Sequence, residues 1–209
     1  MVSNMKKLIN SPENYVDECL EGMVNAEPEV FKIEGETKRV LCKTHMDKGK
    51  VGVVSGGGFG HIPVFAGYVG DGLLDACAVG DVFSSPDMNP MLESIKLANS
   101  GEGVVCVIGN YGGDVMNFQL ATEFAEAEGI KVSQVIVNDD IASASKNEIE
   151  VSKLILTIPH FSFYFFARVC VGARARVRRQ RERRVAARDE VVALVNTLAK
   201  FSTALHYVK

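Results

Sequence analysis

The sequence lacks any pair of cysteines at C-x-x-C spacing, although it contains five cysteines. Their odd number and wide separation give no indication of a disulfide framework or a zinc site. The N-terminal stretch also lacks the apolar core of a signal peptide. Together these absences predict a cytoplasmic protein with mostly reduced, buried cysteines. The five residues concerned are Cys19, Cys42, Cys77, Cys106 and Cys170.

Two nucleotide-binding motifs are also missing, although a glycine-rich stretch, "VVSGGGFGHIP", occupies residues 53–63. A dinucleotide fingerprint that starts at Gly56 would need glycine in place of His61. A P-loop would need lysine and then serine or threonine after its last glycine. The stretch is therefore a glycine-rich turn whose bare N–H groups could bind a hydroxyl, carbonyl or phosphate group at close range.

The composition is that of an ordinary globular protein, with 47% hydrophobic, 23% charged and only 8% aromatic residues. The net charge of −3 conceals an asymmetry, because residues 168–188 contain nine arginines and a single acid, Glu182. That segment carries +8, so the remainder of the chain carries −11. The contrast divides the chain into two differently built parts.

Apolar runs alternate with amphipathic stretches before residue 140, as in βα units stacked on a sheet. The order predicts an α/β fold with a mostly parallel sheet and helices on both faces. Helices are predicted over residues 14–28, 84–101 and 114–129. The predicted strands are residues 50–56, 73–80, 103–110 and 131–139.

Polar residues stand where two of these helices begin. Ser85 is placed as an N-cap, and no G-x-S-x-G elbow surrounds it, so capping is favoured over a nucleophilic role. Asp114 is the N-cap candidate of the following helix. The apolar face of that helix is predicted to consist of Met116, Leu120, Phe124 and Ala127.

The loops after the strands are the places to look for a site, because open α/β sheets bind ligands outside the carboxyl ends of their strands. His61 could take a proton from a substrate hydroxyl, or it could cap or pack beside the turn. Asp114 could accept hydrogen bonds from substrate hydroxyls, or serve as a cap alone. Asp139 and Asp140 could bind a metal, but adjacent acids point in different directions and are more often turn formers.

Five short motifs together resemble the substrate-binding domain of dihydroxyacetone kinases: "MKKLIN" (5–10), "SGGGFGHIP" (55–63), "GDVFSSP" (80–86), "NYGGDVMNF" (110–118) and "NDDIAS" (138–143). The resemblance implies binding of a short ketose, dihydroxyacetone or erythrulose, whose terminal hydroxyl is phosphorylated. It also implies that His61 and Asp114 are catalytic, because they hydrogen-bond the sugar hydroxyls and assist proton transfer. Carried over residue by residue, the substrate-binding positions are Gly57, Gly58, Phe59, Gly60, His61 and Asp114.

The resemblance further implies a homodimer and a phosphoryl donor that this chain does not itself hold. In the family, ATP and Mg are held on a separate helical domain, or a phosphorylated partner subunit supplies the phosphoryl group. Many members have lysine where this chain has Gly109 and Asn110, and "GNYGGDVMNF" looks closer to relatives that act on four-carbon ketoses such as erythrulose. The family also includes paralogues that bind without catalysing, so a regulatory role is the alternative.

The family pattern breaks beyond residue 147. A histidine that binds the ketone carbon covalently belongs to the family's second subdomain, and neither His160 nor His206 has its local sequence. Pro159 and Arg168 interrupt the apolar run too early for a membrane span, and an arginine run without a recognised module is weak evidence for nucleic-acid binding. We expect the divergent segment to be a gene-model or splicing product that is fused into a truncated kinase chain. The predicted organisation is a ketose-binding subdomain at 1–147, a divergent segment at 148–188 and a remnant of the second subdomain at 189–209.

Overall fold

The computed structural model of the chain describes residues 8–60 and 65–137. The described elements alternate in the way the apolar pattern predicts, with a short hairpin added before the first predicted strand. In chain order they are α1 (Tyr15–Ala26), β1 (Phe31–Glu34), β2 (Val40–Lys43), β3 (Gly52–Phe59), a 3-10 turn (Ala66–Tyr68), β4 (Ala76–Val82), α2 (Met88–Ala98), β5 (Val104–Gly109), α3 (Gly112–Ala127) and β6 (Val132–Val137).

The six strands form one mixed sheet in the order β1-β2-β4-β3-β5-β6. Strands β4, β3, β5 and β6 run parallel, which confirms the predicted mostly parallel sheet. From β3 the chain adds β4 on one side, and after β4 it crosses back to add β5 on the other side. Such a reversal is a topological switch point, and the crevice beside it at the carboxyl ends of the strands is the usual ligand site.

The hairpin formed by β1 and β2 is missing from the sequence prediction. Both strands are only four residues long, and they pair antiparallel with each other at one edge of the sheet. Strand β1 is half-buried throughout and includes charged residues, so it gives no continuous apolar run. Its signal in the sequence is instead alternation followed by a short loop that contains Gly35, which has a φ of +87°.

Each face of the sheet has its own apolar core, so the prediction of helices on both faces is confirmed. On one face, α1 and the 3-10 turn pack onto the sheet through residues such as Leu20 and Tyr68. On the other face, α2 and α3 pack through Met91, Ile95 and Phe118. Because one apolar core lies on each face of the central strand β3, the carboxyl end of this strand is packed on both faces.

The apolar face predicted for α3 is wrong. Met116, Leu120 and Phe124 are exposed, by 65%, 41% and 48% respectively, and Ala127 is exposed too. The helix instead buries one large residue, Phe118, together with Ala121 and Ala125. Small alanine side chains let the helix axis approach the sheet closely, and this close approach outweighs the larger hydrophobic residues of the opposite face.

Within residues 8–60 and 65–137, no helix is long and apolar enough to cross a membrane. The predictions for the divergent segment at 148–188 and for the remnant at 189–209 lie outside the described residues.

Candidate functional site

The loops after β4 and β5 meet beside the carboxyl end of β3. The backbone N–H of Phe83 donates to the carbonyl oxygen of Phe59 over 2.9 Å, which joins the loop after β4 to the end of β3. A Cβ atom placed on Gly113 would lie 2.6 Å from Ser85 Oγ, so the loop after β5 touches the same segment. The structure thus brings together the described site residues of the glycine-rich stretch and Asp114, with residues 80–86 between them.

Gly56, Gly57 and Gly58 lie inside β3 rather than in a free loop, and most of the space beside them is filled by the protein itself. A Cβ on Gly57 would lie 2.1 Å from the Phe65 ring, and one on Gly58 would lie 2.8 Å from Ser84 N. The prediction of a bare turn is therefore wrong at these positions, because the close approach comes from neighbouring residues. The left-handed turn begins only at Gly60, which has a φ of +104°.

Phe83 is the most unusual residue beside this turn. Its φ of +54° is uncommon for a bulky side chain, and its ring is 70% exposed. A Cβ on Gly60 would lie 3.3 Å from that ring, so Phe83 covers the point where the chain leaves β3. Strained residues of this kind are held in place by surrounding structure and concentrate at ligand sites.

Asp114 is the chemically distinctive group at this end of the sheet. It lies in the first turn of α3, which begins at Gly112 with Tyr111 as N-cap, so the prediction that Asp114 is the cap is wrong. Its side chain is only 3% exposed, and Oδ1 has no hydrogen-bond partner among the described residues. Burial raises the pKa of Asp114 to about 6, and a hydrogen bond from Ser85 acts in the opposite direction.

Ser85 has a different place from the one predicted as well. Helix α2 begins at Met88 with Asp87 as N-cap, so Ser85 does not cap it. Its side chain instead lies against the first turn of α3, since a Cβ on Gly113 would be 2.6 Å from Ser85 Oγ. Asn117 Nδ2 donates to the carbonyl oxygen of Pro86 over 2.8 Å, which fastens the same loop to α3. The approach of Ser85 to the first turn of α3 leaves no signal in the sequence, because Ser85 and Gly113 are 28 positions apart.

A second buried charged group lies at the opposite end of the sheet, and the sequence prediction missed it. Lys43 Nζ is 2.8 Å from Asp75 Oδ1 and 3.1 Å from Asp47 Oδ2. Val53 N donates to Asp75 Oδ2 over 2.8 Å, which ties the start of β3 to the start of β4. Hydrogen bonds from Lys50 and Lys43 lower the pKa of Asp47 to about 2. This cluster closes the amino ends of the strands and is structural.

Some of the remaining residues singled out in the sequence lie outside the described part of the chain, and others lie within it. His61, Asp139, Asp140 and Cys170 lie outside the described residues. The described cysteines are free thiols, with three buried and Cys19 half-buried, as predicted. Burial raises the pKa of the buried thiols, to about 11 for Cys42, so they remain protonated and unreactive at neutral pH.

A family model, the Dak1 domain, matches residues 21–154 of the chain. The chain belongs to the Dak1 domain family. The match covers every described strand of the sheet and the loops after β4 and β5. The resemblance to the substrate-binding domain of dihydroxyacetone kinases is therefore confirmed.

Curated relatives of this Dak1 domain include kinase components from several bacteria. The chain is 48% identical over 139 residues to the dihydroxyacetone-binding subunit DhaK of a PTS-dependent dihydroxyacetone kinase of Listeria innocua. The aligned region covers 66% of this chain and 42% of that protein. It is 42% identical over 142 residues to L-erythrulose 1-kinase of Mycolicibacterium smegmatis, which covers 68% of this chain and 24% of that protein. The chain thus spans less than half the length of these relatives.

Solved structures with the same fold belong to kinases and to a regulator. The dihydroxyacetone kinase of C. freundii, in complex with AMP-PNP and Mg2+, is 33% identical with a TM-score of 0.62, over 66% of this chain and 26% of that one. The dihydroxyacetone kinase operon co-activator DhaQ is 30% identical with a TM-score of 0.65, over 74% of this chain and 46% of that one.

Proposed function

We propose that this chain binds a short ketose, dihydroxyacetone or erythrulose, as the substrate-binding part of a dihydroxyacetone kinase-type protein. The buried carboxyl group of Asp114 carries the proposal. An unpartnered acceptor in a buried position is unfavourable for folding, and a ketose hydroxyl that donates to Oδ1 would satisfy it. The relative from Listeria innocua, a dihydroxyacetone-binding subunit by name, supports this choice of ligand.

The chemistry assigned to the site is hydrogen bonding and proton acceptance at a ketose hydroxyl. Phosphorylation of that hydroxyl requires loss of its proton, and a carboxyl group with a pKa of about 6 is suited to accept it near neutral pH. His61 is the second candidate for this step. The backbone of Gly57, Gly58, Phe59 and Gly60 would line the other side of the ketose.

The phosphoryl donor would come from outside the described part of the chain. Within it, no group of three or more His, Cys, Asp or Glu side chains is placed to hold a metal ion. ATP and Mg2+ would be held by a separate helical domain or subunit. The C. freundii kinase, of which this chain covers 26%, forms a complex with AMP-PNP and Mg2+ and supports a donor of this kind. A homodimer in the cytoplasm completes the proposal.

Two specific relatives favour alternatives within the same site. The erythrulose kinase from Mycolicibacterium smegmatis favours a four-carbon ketose. The co-activator favours a ketose-binding regulator without catalysis, which would agree with the short match to kinases. All three candidate functions include ketose binding. Phosphorylation of the ketose in the presence of a phosphoryl donor would distinguish the two kinase components from the regulator.

Isothermal titration calorimetry with dihydroxyacetone and with erythrulose tests the proposal. We expect Asp114→Ala and His61→Ala to weaken binding at least tenfold, because each removes a hydrogen bond to the ligand. Asp71→Ala is the control, since this carboxylate is 96% exposed and lies at the other end of the sheet. Absence of binding by the unmodified chain, or equal affinity in all variants, would contradict the proposal. ATP turnover in the presence of a helical nucleotide-binding subunit, but not without it, would distinguish a kinase component from a regulator.

A further inference from the structure

We propose that Phe83 is a ligand-contact residue of the ketose site, where its aromatic ring packs against the carbon skeleton of the bound ketose. This inference rests on the proposed ketose binding. It adds an apolar contact to the site, since Phe83 is not among the substrate-binding positions that the family motifs imply.

Phe83 occupies a backbone position that favours glycine or asparagine. Ser84 N donates to the carbonyl oxygen of Asp81 over 3.1 Å, which closes a four-residue turn with Val82 and Phe83 at its centre. Of these two central residues only Phe83 has a positive φ, of +54°. A turn with a positive φ at its third residue favours glycine or asparagine there, because a Cβ atom is strained in that conformation. The chain therefore keeps an aromatic side chain where it lowers stability.

Burial of the Phe83 ring does not offset this strain. The ring is 70% exposed, and the neighbouring Val82 is 45% exposed. Backbone hydrogen bonds hold the loop independently of the ring, because Phe83 N donates to the carbonyl oxygen of Phe59 over 2.9 Å in addition to the bond that closes the turn. Glycine at this position would make the same bonds. The fold of the loop therefore does not explain the aromatic side chain.

The ring lies where the glycine-rich stretch leaves β3. A Cβ on Gly60 would lie 3.3 Å from the Phe83 ring, so the ring covers the left-handed turn that leads to His61. Two residues after Phe83, Ser85 lies against the first turn of α3, where Asp114 is buried. Phe83 thus stands on the loop between the two parts of the proposed ketose site.

An exposed aromatic ring supplies a kind of contact that the polar groups of the site do not. Small-molecule sites combine apolar and aromatic side chains with a few polar groups that fix the orientation of the ligand. A short ketose carries C–H groups that can pack on an aromatic ring while one of its hydroxyls donates to Asp114. Removal of about 40 Å² of apolar surface from water would correspond to about fivefold in affinity.

Calorimetry with dihydroxyacetone compares variants at position 83 with the unmodified chain. We expect Phe83→Ala and Phe83→Gly to weaken binding about fivefold or more, because both remove the ring. Phe83→Tyr, which keeps the ring, should bind with nearly unchanged affinity.

Thermal unfolding of the same variants separates the ligand contact from a structural role. Phe83→Gly should unfold about 2–4 °C above Phe83→Ala, because glycine adopts a φ of +54° without strain. A ring that served only the fold would lead to a different result, in which affinity follows stability. The inference instead expects equal loss of affinity in two variants of unequal stability.

Lys38 provides the matched control for the relief of strain. It has the same φ of +54°, is exposed, and lies in the turn between β1 and β2, with β2 and β4 between it and β3. Lys38→Gly should unfold above Lys38→Ala by a similar amount and leave ketose affinity unchanged. A loss of affinity in Lys38→Gly as large as that in Phe83→Gly would mean that loop strain, rather than the ring, governs binding.

A tryptophan reporter tests the contact without a comparison of affinities. The chain contains no tryptophan, so Phe83→Trp introduces a single one at the proposed contact. We expect its fluorescence to shift to shorter wavelength when dihydroxyacetone is added, because the bound ligand excludes water from the ring. Phe124→Trp, at a position that is 48% exposed on α3, should not respond.

The outcomes distinguish this inference from the proposed function. Unchanged affinity in Phe83→Ala, or ketose binding by Phe83→Trp without a change in emission, would overturn the contact while ketose binding stands. No binding of dihydroxyacetone or erythrulose by the unmodified chain would overturn the proposed function, and the contact with it.

Discussion

Replacement of Asp114 by asparagine should stabilise the protein at neutral pH while it weakens ketose binding. Burial raises the pKa of this carboxyl group from 3.8 to about 6, so the folded protein binds its proton more tightly than the unfolded chain does. For such a group, stability falls as pH rises between the unfolded and folded pKa values. The shift corresponds to about 3 kcal/mol, fully expressed above pH 6 and absent below pH 3.8.

Urea denaturation from pH 4 to pH 8 measures this quantity directly. We expect the difference in unfolding free energy between Asp114→Asn and the unmodified chain to grow by about 2.5 kcal/mol from pH 4 to pH 7, since part of the shift is already expressed at pH 4. A buried amide that lacks partners adds a constant cost, which does not change with pH. Asp87→Asn, at the exposed start of α2, is the matched control and should show little change.

The refuting result is a difference in stability that stays constant across this pH range. It would mean that the Asp114 carboxyl group is hydrated or paired in solution, and the main support for the ketose proposal would be lost. Acid unfolding through other groups, such as Asp47 with its pKa of about 2, affects both proteins equally and cancels in the comparison.

Three further substitutions test other parts of the structure. Lys43→Met should lower the free energy of unfolding, measured by urea denaturation, by about 3–5 kcal/mol, because it leaves Asp75 buried without its cation. Lys50 is half-exposed, so the control Lys50→Met should lower it by less than about 1 kcal/mol. Equal losses in the two variants would contradict a structural role for the buried pair. Gly57→Ala should destabilise by about 1–3 kcal/mol, because the buried Phe65 ring must move, and an unchanged thermal midpoint would refute this packing. Gly112→Ala should leave the free energy of unfolding unchanged or raise it, since nothing lies within 4 Å of the added Cβ. Reduced dihydroxyacetone affinity of this variant in calorimetry would place the ligand beside Gly112, and unchanged affinity would exclude that contact.

The central strands could be predicted from sequence because they are buried on both faces. Strand β5 is buried at every position, and such strands read as continuous apolar runs. The β1 and β2 hairpin escaped because a half-buried edge strand mixes charged and apolar residues. The inward face of α3 escaped for a related reason, since hydrophobic size is a poor guide where close packing selects alanine. There the ring of Phe118 lies 3.2 Å from the Cβ position of Gly56, and it leaves no room for a second large side chain.

The identity of the candidate site was more accessible to sequence than its geometry. The motifs located Asp114 and the glycine-rich stretch, because residue type and order survive in the sequence. They could not reveal that Gly57 and Gly58 accommodate Phe65 and Ser84, since those contacts form only when distant segments fold together. The predicted roles of the glycines and of His61 therefore remain predictions, whereas the buried state of Asp114 is a property of the fold.

The two buried aspartates beside the sheet differ in how the cost of burying a carboxylate is compensated. Asp75 and Asp114 are exposed by only 5% and 3%, so both carry a similar cost of desolvation. Asp75 offsets it, because Oδ1 meets Lys43 Nζ at 2.8 Å and Oδ2 accepts from Val53 N at 2.8 Å. Asp114 has no such pair, because its Oδ1 lacks a partner among the described residues. An asparagine or serine would serve the first turn of α3 at lower cost, and this difference between the two aspartates is what the proposed ketose contact accounts for.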